Sequence, residues 1–456
     1  MLPYFRKAAH FIEPDQVLID KFKVKYDIES SWGQDNNTHL FASYPGGLDP
    51  KIMITYDALK EFPGIKVPKD GHSGEHGLFY YPVSVDPKTR QRSYARTAHW
   101  DNASTRPNYD ILPGSKVTRI LFEGNVAVGV TFVPKEIIPG QEKKITTVKA
   151  TKEVILAAGA VHTPQILQLS GIGPAALLKQ ANISVISDLP GVGSNFQDHP
   201  VGPIVSFTWG KQPPLPFNVT WPPGGEGRGQ GLVAVLSLPV MSPTGYKKIA
   251  DKYAAQDLAT IVPEGTPSSV LAGYRLQQEV YAREMRGNRV SFSNNIVTSG
   301  PGIVPVGMHI ASRGTVRIDP LAPDAEPLVD YAALSNTVDL DLMVEYIRFI
   351  RNVFASPILA QYSPKEQYPG ANITSDSDLS NWVRSIYTPT GYHPAGTAGK
   401  MPRELGGVVD EALLVHGVQH LRVVDASTLA TLIGGVTQFT VYAVAEKAAA
   451  LIQQRP

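Results

Sequence analysis

The sequence predicts an α/β fold in which two domains interleave, one built from both ends of the chain and one from its middle. Three observations predict it. An apolar run, Val154-Ile-Leu-Ala-Ala-Gly-Ala160, leads into a helix start at Thr163-Pro164, with proline in the first turn. From about 200 to 320 the texture changes to scattered strands between Pro/Gly loops. The chain then returns to strand, loop and helix, with Leu421-Arg-Val-Val424 followed by 436–452.

Taken in order, residues 1–12 read as the end of a helix, with Phe5, Ala8, Ala9 and Ile12 at helical spacing. Residues 30–115 are loop-rich. Residues 117–133 alternate through Ile120-Leu-Phe122, a Glu-Gly-Asn turn and Ala127 to Val133, which predicts a hairpin. Residues 147–155 supply another strand that ends in the apolar run, and the helix after it carries Ile166, Leu167 and Leu169. Residues 201–209, 290–297 and 315–318 fit an antiparallel sheet with one covered face. Residues 336–356 form an amphipathic helix, with Leu340, Met343, Ile347 and Ile350 on one stripe. The domain division that follows is 1–200 with 386–456 against 201–385.

Composition narrows the function. The 456 residues can bury a large core, and 43% hydrophobic against 18% charged content is that of a globular enzyme. Lys and Arg (42) balance Asp and Glu (41), which argues against a nucleic-acid or membrane-surface partner. There are no cysteines, so disulfides, thiolate chemistry and zinc-thiolate sites are excluded. The amino terminus has no apolar h-region of a signal peptide. Residues 426–445 are uncharged but full of Ser, Thr, Gly and Gln, and read as buried loop plus helix rather than a membrane span. Sequons at Asn36, Asn102, Asn182, Asn218 and Asn372 exceed what frequency alone gives and point to secretory relatives.

Several motifs mislead. A diphosphate cradle lies between a strand and a helix N-terminus, whereas Gly171-Ile-Gly-Pro-Ala-Ala176 follows a helix rather than a strand and Gly191-Val-Gly193 sits in an open loop. His72-Ser-Gly-Glu-His76 spells a zinc-peptidase pattern, yet glycines at 71, 74 and 77 exclude the helix that would put both imidazoles on one metal. No metal site is expected. No Gly-x-Ser-x-Gly elbow supports a serine hydrolase.

Other stretches carry a resemblance. Residues 159–173, Gly-Ala-Val-His-Thr-Pro-Gln-Ile-Leu-Gln-Leu-Ser-Gly-Ile-Gly, resemble the second signature of glucose–methanol–choline (GMC) oxidoreductases almost position for position. Leu189 to His199, Ser312-Arg-Gly-Thr-Val-Arg317, Tyr392-His-Pro-Ala-Gly-Thr397 and Leu421 to Ser427 match the same family in the same order. The resemblance spans the chain, most thinly between 210 and 285. It implies a GMC-type FAD-binding domain combined with an antiparallel-sheet substrate-binding domain. It also implies FAD as cofactor and oxidation of an alcohol, a small-molecule substrate, by hydride transfer.

The resemblance implies roles residue by residue. Val117 holds the place of the adenine contact, and Ala158-Gly159 the close approach of the cofactor backbone. Asp425-Ala426 stand where backbone N–H groups meet the diphosphate and ribityl chain. Thr437 and Gln438 open the last helix beside the flavin's pyrimidine edge, where a helix N-terminus stabilises negative charge. His393 matches the catalytic histidine, the base for the substrate hydroxyl.

Two departures stand out. The family's opening strand, Gly-x-Gly-x-x-Gly turn and helix are absent from this sequence, and the chain begins at what resembles the helix after them. The expectation is a truncated product, a complementing chain or homo-oligomer that completes the sheet, or a fold rebuilt without flavin. In the last case it would be an acid–base enzyme such as a dehydratase, isomerase or cyclase, or a binding partner. Second, Val436 takes the place of the family's other polar active-site residue, usually His or Asn. Valine can neither donate nor accept a hydrogen bond. The apolar neighbourhood of Val436 and Phe439 points to a hydrophobic or aromatic alcohol.

Overall fold

The computed structural model describes residues 1–33, 38, 40–44, 47–135, 144–202, 204–221 and 231–454. The Asn36 sequon lies outside them, and the asparagines of the other four are exposed. Helix α1 (Leu2–Ala8) opens the chain, with proline in its first turn, where a missing N–H breaks no helical bond. Its Phe5 ring lies 5.4 Å from that of Phe439, and Lys7 pairs with Glu446, so the two ends of the chain pack together.

Strand β1 (Gly77–Tyr80) follows, and then the expected hairpin, β2 (Ser115–Glu123) and β3 (Val126–Pro134). Its turn is made at Gly124, whose φ of 62° suits a residue without Cβ. Residues 147–155 do not form one strand. They divide into β4 (Thr146–Lys149), which adds to β3, and β5 (Val154–Leu156), which belongs to a different sheet. All four β4 residues are exposed, so no buried face carries that strand into the apolar run. Helix α2 (Gly159–Leu169) begins four residues before Thr163-Pro164 and contains Pro164 in its interior. The N–H missing from Pro164 leaves the Ala160 carbonyl without its helical partner, and the Thr397 hydroxyl donates to it at 2.7 Å.

The middle of the chain supplies β6 (Val205–Trp209), β7 (Leu232–Leu236), α3 (Ser268–Glu284), β8 (Ser293–Val297) and β9 (Gly302–Gly307). It continues with β10 (Thr315–Arg317), β11 (Leu328–Asp330), α4 (Thr337–Phe354) and β12 (Pro364–Tyr368). Six strands form an antiparallel sheet in the order β12-β6-β9-β8-β7-β1. The strand expected at 315–318 is not in it, because β10 pairs with β11 alone. The two-residue period of the strands separates the sheet's faces. Leu78, Tyr80, Leu232, Ala234, Leu236 and Val297 join the core around α4, whose Met343, Ile347 and Ile350 are buried as the helical stripe predicts. Each such buried aliphatic side chain contributes about 1.5–3 kcal/mol.

The chain closes with β13 (Leu421–Val423) and α5 (Thr437–Gln453). Strand β13 pairs in parallel with β5, setting Leu421 opposite Val154 and Val423 opposite Leu156. A second core forms here from Ile120, Leu156, Leu167, Leu189, Val408 and Val423. Ile155 of β5 stays exposed.

The domain boundary moves. Strand β1 belongs to the six-stranded sheet, and Leu18, Phe22, Ile52 and Leu59 share the α4 core. These parts of 18–80 therefore pack with 201–385, whereas Leu40 and Ala42 pack with Ala9, Ala98 and Phe439.

Candidate active site

The Asp198 carboxylate organises the turn that presents His393. It accepts hydrogen bonds from Thr390 Oγ1 at 2.6 Å, from Gly391 N at 3.3 Å and from His393 N at 3.0 Å. Tyr392, between them, has a φ of 62°, a left-handed conformation that costs a non-glycine residue on the order of 1–3 kcal/mol. Three donors on one buried acceptor hold that strained turn. Burial pushes the Asp198 carboxyl above its ordinary pKa, and the three hydrogen bonds oppose the shift.

His199, the next residue in the chain, is buried and meets His393 with the two Nδ1 atoms 3.2 Å apart. Its other nitrogen, Nε2, lies 3.0 Å from the Ile433 carbonyl oxygen. A carbonyl can only accept, so Nε2 of His199 carries the proton. Burial, reinforced by His393, brings the His199 pKa down to about 4, so the ring is neutral and its Nδ1 is a bare acceptor. His393 therefore donates through Nδ1–H, and its Nε2 is left with a free lone pair. Burial also lowers the His393 pKa, against the pull of Asp198. A neutral imidazole with one nitrogen tied and the other open is poised to take a proton.

His393 lines a cavity of about 1390 Å³. One wall is the second face of the six-stranded sheet, where Phe79, Val233, Val235, Ile296 and Val306 point inward. The opening of α5 contributes Val436, Gln438 and Phe439. No side chain caps that helix N-terminus, and Val436 at the capping position is 58% exposed. Thr437 is buried, and Gln438 Oε1 lies 3.2 Å from Ser84 Oγ, so the amide is already held. The histidine of the misleading zinc-like stretch, His72, packs its ring 4.4 Å from Trp32, whose Nε1 donates to Asp70.

Ala158, Gly159, Asp425 and Ala426 gather at the ends of β5 and β13. The Asp425 carboxylate accepts from Gly159 N at 2.9 Å, Thr163 Oγ1 at 2.5 Å and Ser427 N at 2.8 Å. That side chain locks two loops together and leaves any ligand contact to the backbone. The turn continues through Thr428 and Leu429, which line the cavity, and on to Ile433, the acceptor for His199. Val117 stands apart on β2, half-buried opposite Phe132. Sequence reasoning named His393 and missed His199 and Asp198, although both stand in the stretch ending at His199. Two titratable residues side by side, Asp198-His199, at the end of a family-matching stretch were the available signal.

An imidazole on a strained turn thus opens on an apolar cavity, beside an uncapped helix N-terminus and the ends of two parallel strands. Two family models, each described as GMC oxidoreductase, match residues 61–201 and 311–445. The chain is 35% identical over 476 residues to dehydrogenase xptC of Emericella nidulans, covering 99% of this chain and 75% of the relative. It superposes on an FAD-dependent oxidoreductase from Chaetomium thermophilum with a TM-score of 0.91 at 32% identity, covering 99% of this chain and 80% of that one. A fungal aryl-alcohol oxidase gives 0.89 at 31% identity, covering 99% and 78%. The chain belongs to the GMC oxidoreductase family.

FAD is the cofactor of that family. The residues present fit its flavin end. Gly159, with a φ of 79°, has open space where a Cβ would stand, as does Gly435 before the uncapped helix.

Proposed function

We propose that this protein oxidises an alcohol to the carbonyl compound, with Nε2 of His393 taking the hydroxyl proton. The tautomer imposed by His199 and the Ile433 carbonyl is the observation that carries this reading. FAD, when bound, would supply the hydride-accepting chemistry for the carbinol carbon. His393 removes the proton, and the electron pair left on oxygen forms the new C=O bond. Asp198 keeps the turn, and hence the ring, in place. The buried sheet face excludes water around the substrate's body.

The apolar wall supports a hydrophobic or aromatic alcohol, and the likeness to an aryl-alcohol oxidase points the same way. Val436 gives the substrate oxygen no second polar partner, and the absence of such a donor costs on the order of a hundredfold in rate. Val117, Ala158, Gly159, Ala426 and Thr437 are proposed as cofactor contacts through their backbones and small side chains. Family membership favours this oxidation over a flavin-free dehydratase, isomerase or cyclase. The exposed Ile155 side chain of β5 supports a homo-oligomer or a complementing chain that covers this face, which light scattering on a sizing column checks. Among the described residues, no helix is long and apolar enough to cross a membrane.

The test is direct. Purified protein loaded with FAD turns yellow, and anaerobic benzyl alcohol bleaches the flavin band in wild type but not in His393→Ala. Protein that stays colourless in excess FAD, or bleaching that survives the substitution, overturns the reading.

A further inference from the structure

Strand register fixes how the six-stranded sheet meets the base. Val201, two residues after His199, pairs with Val306 of β9 on one side and with Thr388 on the other, and Thr388 leads into the turn of His393. His393 is therefore presented at the β9 side of the wall. From there one row of side chains crosses the sheet, with Val306 opposite Asn294 of β8 and Asn294 opposite Val235 of β7. A second row runs beside it, with Ile296 of β8 opposite Val233 of β7, and Val233 opposite Phe79 of β1. These side chains line one cavity with His393, and Asn294 is the polar member among them.

Neighbouring strands lie about 4.8 Å apart, so the steps from β9 through β8 and β7 to β1 make a face about 14 Å long. Phe79 closes its far end. The Phe79 ring packs against Gly71, where a Cβ would come within 2.0 Å of it, so backbone stands behind the ring. A lone benzene ring spans little more than one strand spacing and would leave most of this face bare. The residues that fit the flavin, Gly435 and the opening of α5, line the same cavity but belong to other elements than the sheet. At about 1390 Å³ the cavity exceeds the roughly 300–1000 Å³ of an ordinary single-ligand pocket, which leaves space beside the flavin end of the cofactor. A rigid body that covers the face gains apolar burial without losing torsional freedom.

We propose that this sheet face measures the length of the substrate, whose body is a linear aromatic system of two or three rings. The carbinol group lies at His393 and the rings run across β9, β8 and β7 toward Phe79. Resting on the alcohol-oxidation reading above, this makes the preferred substrate a linear polycyclic aromatic alcohol rather than a single-ring benzylic one.

The test uses the FAD-loaded full chain and isomers that separate length from hydrophobicity. The straight 2-anthracenemethanol and the T-shaped 9-anthracenemethanol have the same atoms, yet only the first fits end to end. Its kcat/KM should exceed that of the 9-isomer, and that of benzyl alcohol, by about tenfold or more, within what a few added carbons supply in a fitted apolar pocket. In Val233→Phe, which puts bulk one strand short of the far end, both ratios should fall to about one, whichever way the absolute rates move. A second readout needs no turnover: 2-methylanthracene should bind about tenfold more tightly than 9-methylanthracene, by fluorescence titration. That wild-type comparison decides even where Val233→Phe does not fold. Selective binding of the straight isomer without alcohol turnover keeps the length reading and overturns the oxidation reading. Equal binding and equal turnover of the two isomers overturn the length reading even if alcohols are oxidised. So does binding of 2-methylanthracene that FAD loading abolishes, because the cofactor's own rings would then cover the face.

Discussion

The Nδ1 atoms of His199 and His393 face each other at 3.2 Å, and the Ile433 carbonyl, 3.0 Å from His199 Nε2, decides which of them carries the proton. The Ile433 contact thus ties the tautomers of the two rings together and leaves the lone pair of His393 pointing away from the pair. His199 touches neither cofactor nor substrate in this scheme. It is a positioning residue.

Its removal should be read in kcat rather than KM. His199→Leu takes away the acceptor for His393 Nδ1–H, and kcat should fall about 10- to 100-fold with KM moved less than threefold. His199→Asn, whose side-chain oxygen can accept the same hydrogen bond, should restore most of the rate. Equal steady-state constants for wild type and His199→Leu would show that the tautomer is set elsewhere.

The histidines also set the response to pH. His393 works only when neutral, so activity is present above its lowered pKa and declines as pH falls through it, below the ordinary value of 6.5. Stability runs in the same direction. His199 and His309 stay neutral when folded, to about 4 and about 3, but titrate near 6.5 when unfolded. Between those values the unfolded chain binds more protons, so stability falls as pH drops from about 6.5 toward 4. For His199 alone the full loss is about 3 kcal/mol. Urea unfolding at a series of pH values checks this, and His309→Gln should flatten the lower part of the curve.

Val436 is a place where function can be added. It is exposed at the start of α5 and lines the cavity, so a larger polar side chain fits without disturbing a core. Val436→His should raise kcat for an aromatic alcohol by about tenfold or more and change Tm by less than about 2 °C. An unchanged kcat would place the substrate oxygen out of reach of this residue.

Thr397 tests the interior proline. Its hydroxyl fills the vacancy that Pro164 leaves at the Ala160 carbonyl, deep in the protein. Thr397→Val keeps the shape and removes the donor, and should cost about 1–3 kcal/mol in denaturant unfolding. In the double variant with Pro164→Ala, the helix regains its own N–H donor, and the two substitutions together should cost less than their sum. Simple additivity would mean that the carbonyl finds another partner.

Much was legible from local pattern. The 3.6-residue period of Leu340, Met343, Ile347 and Ile350 and the alternation on both sides of the Gly124 turn placed α4 and the β2–β3 hairpin. The motif around residue 393 singled out the base. These properties are carried by neighbours a few residues apart, and backbone geometry converts such spacing directly into a face or a turn. Where local pattern and tertiary contact compete, contact prevailed. Helix α2 runs through Pro164 because Thr397, 237 positions from Ala160 in sequence, supplies the hydrogen bond that the Ala160 carbonyl lost. Strand β1 left the segment assigned to it because β7 offered an open edge.

The sequence by itself determined the family, the α/β class and the near-neutral charge balance, and it proposed His393 as the base. Only the tertiary structure decided which histidine tautomer faces the cavity, that Asp425 ties two loops together, and that the cavity-facing side of the sheet carries the polar Asn294 among valines. The reason is that hydrogen-bond partners are matters of distance. His199 and Ile433 stand 234 residues apart in the chain and 3.0 Å apart in space, and no periodicity encodes such a pairing.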